Sequence, residues 1–261
     1  YITFIITSQD ERLLILNYIK SARIEHLLGA MFLGASADIV RGVRWQLLSK
    51  AIGYNSGRIN SIASVFMCYT SNMAIPRSGE FIRATVLSEY NNIPIGKTFG
   101  TIAAERVIDM SISILILFLV WLLQYKIILE SFFEDNFLNF IDDNFWIIFS
   151  SIIMLIAALF VLIIKVESIK RFFKSVLEGF LSLTKLKGKL LKFILLSLLI
   201  WSCYILAFFV IKFSVTELNF IDNSLVFPAF VVGVYSISLS NHGLGVYPLA
   251  IALFLSNFGI N

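Results

Sequence analysis

Little in this sequence can make cross-links or metal centres, since its 261 residues include two cysteines and two histidines. Cys68 and Cys203 each lie in an apolar run, the setting of a small packing residue rather than of a disulfide. His242 stands beside Gly243 with no cysteine nearby. It reads as a hydrogen-bonded loop histidine, and neither a metal nor any other cofactor is expected. A Walker phosphate loop and a Ser-His-Asp arrangement are missing as well, which leaves hydrolysis and direct use of ATP without support. Charge is sparse and nearly balanced, with 21 Lys and Arg against 17 Asp and Glu, so nucleic acid is not implied. Residues 1–7, YITFIIT, carry no basic leader or cleavage signal and are too short to span a bilayer; they read as the end of a longer helix.

Apolar residues are abundant: they make up 58% of the chain, and the mean hydropathy is +0.86. Several uncharged runs approach the roughly 20 residues a spanning helix requires. The expectation is an all-α, polytopic integral membrane bundle, one domain over 1–261, with no separate soluble catalytic domain. Residues 8–25 mix charges with leucines in an interfacial amphipathic pattern. Residues 26–48 form the first plausible span, and Asp38, Arg41 and Arg44 on it lie three apart on one face. The plain reading of those three is an internal ion pair with arginines snorkelling to one interface. Further spans are expected up to about Tyr125, over 145–164 and over 193–211. Residues 165–192 hold the basic surface helix that marks the cytoplasmic side.

One stretch breaks this pattern. Residues 72–109, beginning at Asn72, place Arg77, Glu80, Arg83, Glu105, Arg106 and Asp109 in a membrane sequence together with the helix breakers Pro76 and Gly79. Each such charge costs on the order of 2.5–3.5 kcal/mol at mid-membrane, so it is expected to be paired, water-facing or functional. Pro76 removes a backbone donor and biases Ile75 away from helix, so a break is predicted there. Glu105 and Asp109, four apart, share a helix face and need an external cation or arginine between them. Arg106 points about 100° away towards a different partner.

Positive-inside counting puts 165–192 and the segment containing Lys50 and Arg58 on the same, cytoplasmic side, and 126–144 and 212–222 outside. Residues 59–75 then cannot cross and still leave the next helix starting from the cytoplasm. A re-entrant helical hairpin broken at IPRSGE resolves the conflict. A second hairpin of opposite entry, broken at SNHGLG (240–245), follows from the marginal half-lengths of the last uncharged run. Irregular backbone at such depth must be covered by protein or line a wet cavity, and two opposed broken segments are typical of inverted-repeat transporters. The two breaks are expected to meet in one water-accessible cavity.

The residues NMAIPRSGEFIRATVL, then AAERVIDM, then LSNHGLGVYPLAIALF resemble the lysylphosphatidylglycerol synthase transmembrane region, the flippase-like domain family. The resemblance covers most of the chain in the right order. It implies site residues at Pro76, Arg77, Gly79, Glu80, Arg83, Glu105, Arg106 and Asp109, and a late glycine motif at Gly243, Leu244, Gly245 and Val246. Family members commonly have a proline-glycine before that motif and a glutamate after it, where this chain has Asn241, His242 and Tyr247. They also usually continue into another helix, so that the start of the first helix and the last helix are expected to lie beyond this chain. In bifunctional members a soluble aminoacyl-transferase domain makes the lipid and this region moves it.

The reading that results is a multi-pass transporter of the cytoplasmic membrane, not an enzyme, that moves a phospholipid or other phosphate-bearing lipid between leaflets. Its partners would be membrane lipids, with a lipid synthase or a second copy of itself as candidate protein partners. Arg77, Arg83 and Arg106 would hold the phosphate as forked, permanently charged donors. Glu80, Glu105 and Asp109 would orient them or receive a cationic headgroup, with Asn72, Asn241, His242, Gly243 and Gly245 completing the site. Two alternatives stand beside it. One is a membrane enzyme or accessory subunit acting on a lipid-linked sugar or polyprenyl phosphate, with Glu105 or Asp109 as base; the other is a non-transporting scaffold for a synthase.

Overall fold

The computed structural model describes residues 9–75, 77–132, 183–215, 221–239 and 245–259, with a few isolated positions between them. All regular structure among the described residues is helical: α1 (Gln9–Ser21), α2 (Ile24–Ala51), α3 (Arg58–Ala74), α4 (Gly79–Asn91), α5 (Ile95–Phe132), α6 (Leu190–Lys212), α7 (Asn223–Leu239) and α8 (Val246–Ser256). A 3₁₀ turn over Thr184–Lys189 leads into α6. There is no strand among these residues, as expected for a polytopic helical membrane protein.

Helix α2 is the axis of the assembly, packed against α3, α5 and α6. Its C-terminal half is buried at Ala37, Arg41, Gly42, Arg44, Trp45 and Leu48. Close approach is possible because Gly42 has no side chain: a Cβ there would lie 2.6 Å from the Ile62 Cα of α3. Small residues at a crossing let two helix backbones touch, the usual device where lipid supplies no hydrophobic drive. Beneath the crossing, Trp45, Leu48, Leu87, Ile102 and Phe193 form one buried cluster drawn from α2, α4, α5 and α6.

Among the described residues, two helical stretches are both long and apolar enough to cross a membrane, Ile95–Gln124 and Leu190–Lys212. Their outward faces carry exposed Leu115, Phe118, Leu122, Leu195 and Leu199, a surface suited to lipid. Gln124 has non-helical backbone angles (φ −137°, ψ 33°), so the apolar rod ends close to the predicted Tyr125. The predicted span over 26–48 does form helix, but its second half carries charges towards the protein interior. The predicted span over 145–164 lies outside the described residues, as does most of the basic stretch 165–192. The described end of that stretch is the 3₁₀ turn, with Leu186 buried against the core.

The break predicted from Pro76 and Gly79 is present. Helix α3 stops at Ala74, Ile75 is extended (φ −129°, ψ 110°), Arg77 is left-handed (φ 65°), and α4 starts at Gly79; Pro76 itself lies outside the described residues. The two helices fold back on each other as a hairpin. A Cβ on Gly79 would overlap the Cys68 carbonyl oxygen and come within 2.6 Å of Asn72 Nδ2, so only glycine permits this closeness. Asn72 Oδ1 accepts the Gly79 N–H at 2.8 Å, taking one of the four donors that a helix start leaves unpaired. Asn91 staples the open end, accepting from Gly57 N at 3.2 Å and Asn60 Nδ2 at 3.4 Å.

A second pair, α7 and α8, also packs together. Between them Gly245 has φ +79°, and residues 240–244 lie outside the described residues. At about 1.5 Å per residue, α3, α4, α7 and α8 are roughly 26, 20, 26 and 17 Å long, each short of the ~30 Å hydrocarbon core.

Candidate functional site

Helices α2, α4 and α5 bring five charged side chains into one buried cluster. Glu105 Oε1 lies 3.1 Å from Arg41 Nη1 and 3.0 Å from Arg44 Nη2, while its Oε2 lies 2.7 Å from Arg83 Nη2. One turn further along α5, Asp109 Oδ2 is 3.0 Å from Arg41 Nη1 and Oδ1 is 2.7 Å from Arg44 Nη1. Arg41, Arg44, Arg83, Glu105 and Asp109 are all less than a tenth exposed. The shared face expected for Glu105 and Asp109 is therefore real, and arginines neutralise their mutual repulsion.

Neutral groups hold the arginines in place. Trp45 stacks on the Arg83 guanidinium at 3.8 Å from the ring centre and donates its own N–H to Thr101 Oγ1 at 2.9 Å. The Arg44 Nη1 nitrogen also donates to Ser197 Oγ at 2.8 Å, and the Phe193 ring lies beneath its guanidinium at 5.3 Å. A planar guanidinium suits such sandwiches, combining forked hydrogen bonds at its edge with π contact on its face. Arg41 Nη2 donates to Tyr204 Oη at 3.4 Å, and Tyr204 in turn donates to Asp38 Oδ1 at 3.1 Å.

This geometry corrects the plain reading of α2. Asp38, Arg41 and Arg44 do share a face, but the arginines neither snorkel nor take Asp38 as their ion-pair partner. They turn inward to carboxylates about 61 to 68 residues away. Doubly bonded carboxylates on a facing helix outcompete a single i,i+3 neighbour, because a buried charge needs its whole hydrogen-bonding capacity met.

Other predicted site residues are distributed differently. Arg106 points away from Glu105, as its position on the helix requires, and its Nε meets Glu80 Oε1 at 2.6 Å. The pair is half-exposed, at 43% and 44%. Arg77 is exposed at the hairpin tip. The three arginines expected to act together thus occupy three settings: Arg83 buried, Arg106 half-exposed and Arg77 on the surface. Asn72 caps α4, Gly79 permits the hairpin, and Gly245 precedes α8. Pro76, Asn241, His242 and Gly243 lie outside the described residues, and so does the expected meeting of the two breaks. Tyr69, Ser197 and Tyr204 were not among the predicted residues. A trace of the latter two is present in the sequence, since Ser197 and Tyr204, seven apart, put two polar groups on one face of the otherwise apolar α6.

Among the described residues there is no group of His, Cys, Asp and Glu able to hold a metal ion. What the cluster offers is cationic: three forked donors against two carboxylates, with Arg41 Nε, Arg44 Nε and Arg83 Nε buried and lacking a partner among the described residues.

Residues 14–261 match the family described as the lysylphosphatidylglycerol synthase TM region. The chain belongs to this family. Two curated relatives extend the comparison. A UPF0104 membrane protein of Methanocaldococcus jannaschii is 32% identical over 91 residues, 34% of this chain and 27% of that protein. Glycosyltransferase AglD of Haloferax volcanii is 32% identical over 72 residues, 27% of this chain and 12% of that protein. The matches thus cover well under half the length of either relative. No solved structure matches the chain. Membership of a transmembrane-region family agrees with the apolar α5 and α6, and it supports a membrane setting for the buried cluster.

Proposed function

We propose that this lysylphosphatidylglycerol synthase TM region protein is a multi-pass cytoplasmic-membrane transporter, not an enzyme, that moves a phosphate-bearing lipid between leaflets. The α3–α4 and α7–α8 hairpins are taken as re-entrant elements. The observation that carries the reading is the contrast between Arg106 and the buried arginines. Arg41, Arg44 and Arg83 are committed to Glu105 and Asp109, whereas half-exposed Arg106 meets Glu80 through Nε alone. Its two terminal nitrogens have no protein partner among the described residues, and they form the edge that grips phosphate oxygens. Glu80 beside it suits a cationic headgroup group, and Arg77 lies three residues before Glu80 at the hairpin tip.

Purified protein in liposomes containing a headgroup-labelled phospholipid tests this. Labelled headgroup should reach the opposite leaflet chemically unchanged. Arg106→Ala should slow it about ten- to a hundredfold, the equivalent of one charge-assisted contact of roughly 1.5–3 kcal/mol. Arg106→Lys and Arg77→Lys should not recover the wild-type rate, because lysine keeps the charge and loses the fork. Movement no faster than in protein-free liposomes would refute transport. A second reading is favoured by the match to a protein named a glycosyltransferase: a membrane-embedded enzyme, or accessory subunit of one, acting on a lipid-linked sugar or polyprenyl phosphate. A chemically modified lipid in the same assay would select it.

A further inference from the structure

The buried cluster does not balance its own charge. Arg41, Arg44 and Arg83 bring three positive charges against two from Glu105 and Asp109. Arg106 and Glu80 cancel each other at the edge. The remaining acid is Asp38, half-buried on α2 and held by the Tyr204 hydroxyl at 3.1 Å, with no ion pair to any described residue. Arg41 and Arg83 nevertheless lie within its electrostatic range, as does Tyr69. When Asp38 is ionised the set stands at three against three; when it is protonated, one positive charge is in surplus.

We infer that Asp38 couples a proton to the anion: protonating Asp38 gives the cluster the surplus positive charge that a phosphodiester then neutralises. The inference rests on the phosphate-lipid reading above and specifies how the site is charged. A surplus charge in a low-dielectric interior demands a counterion, and a membrane lipid's phosphate supplies one. Unspent donors are at hand in the buried Nε groups of Arg41, Arg44 and Arg83. The Tyr69 hydroxyl lies 3.5 Å from that of Tyr204, and half-exposed Arg106 stands at the edge of this network, paired with Glu80.

The groups facing Asp38 are Arg41 on its own helix, Tyr69 from α3, Arg83 from α4 and Tyr204 from α6, with Glu105 and Asp109 of α5 behind Arg41. The arginines stay charged at any ordinary pH and the tyrosines are neutral near pH 7. Glu105 and Asp109 are each held by two or more arginine contacts. Asp38 is the acid without such a clamp. The sign follows by linkage: proton and anion each raise the other's affinity, so anion binding strengthens as pH falls and weakens as pH rises.

The test uses purified full-length chain in detergent and short-chain phosphatidylglycerol, whose phosphodiester keeps one negative charge across a pH series around neutrality. Affinity read from tryptophan fluorescence should fall with rising pH, approaching tenfold per unit for one linked proton. Asp38→Asn should bind at the wild-type low-pH affinity at every pH. Tyr204→Phe, which keeps the ring, should move the midpoint and preserve the slope, and it serves if Asp38→Asn fails to fold. Wild-type binding that is independent of pH would overturn the coupling and leave the transport reading standing. An Asp38→Asn variant with the wild-type slope would do the same. If wild type binds no phosphatidylglycerol at any pH, the coupling is overturned; if liposome transport is absent too, so is the reading beneath it.

Discussion

Glu105 and Arg83 touch each other at 2.7 Å, yet their removal should have unequal consequences. Glu105→Gln keeps the shape of the side chain and deletes its charge, leaving Arg41, Arg44 and Arg83 around Asp109 alone. Breaking a buried pair from one side costs about 3–5 kcal/mol, because an uncompensated charge is left behind. Arg83→Met instead leaves Arg41 and Arg44 facing Glu105 and Asp109, two against two once Asp38 takes up a proton. Its cost is the lost stack on Trp45 and one vacated carboxylate oxygen, about 2 kcal/mol. At roughly 2–4 °C per kcal/mol for a chain of this size, Glu105→Gln should lower the melting temperature in detergent by about 6–20 °C. Arg83→Met should lower it by about 4–8 °C. Thermal unfolding followed by the loss of the folded-protein peak in size-exclusion chromatography measures both. Should Arg83→Met melt at or below Glu105→Gln, the charge count of the cluster is not what stabilises it.

Two further outcomes follow from the hairpin and from charge placement. Gly79→Ala should destabilise by about 1–3 kcal/mol, the usual cost of overpacking, since its methyl would meet the Cys68 carbonyl oxygen and Asn72. Ser78→Ala, at a residue whose Oγ bonds to the Ile75 and Ser71 carbonyls, should cost less in the same melting assay. For topology, a cysteine at exposed Asp222 should react with an impermeant thiol reagent in intact cells and one at exposed Lys185 should not. Cys68 and Cys203 are buried and give little background. Reaction at Lys185 alone would invert the orientation.

Local chemistry was legible in the sequence, and long-range partnership was not. The helix break at 75–79 could be read because Pro76 and Gly79 act through local backbone preferences; the left-handed Arg77 could not. The opposed directions of Glu105 and Arg106 could be read because 100° per residue is a local property of a helix. Which cations answer Glu105 and Asp109 depends on how α2 crosses α5, and nothing in the spacing of 38, 41 and 44 reports that. The separate settings of Arg77, Arg83 and Arg106 were not legible for the same reason. On α4 the buried positions are Gly79, Arg83, Ala84 and Leu87, one helix face that carries Arg83 inward, while Arg77 precedes the helix and escapes it.

The placement of these charges also bears on what can move. Five buried charges from α2, α4 and α5, locked by Trp45, Thr101 and Ser197, make a rigid node. Separating any carboxylate from its arginines inside a low-dielectric interior would strand a charge at a cost of several kcal/mol. A transport cycle that opened the node would carry that cost at every turn. Motion is cheaper at the periphery, where Arg106 and Glu80 are half-solvated and an exposed ion pair is worth only about 0–1 kcal/mol. In the proposed transport reading, that pair would part to admit a headgroup and re-form after it leaves. The node would then supply a fixed positive field behind the moving edge, which requires that it be rebalanced by a group able to change charge without moving. Asp38, tied to the node through Tyr204 and not clamped by any arginine, is placed to do this.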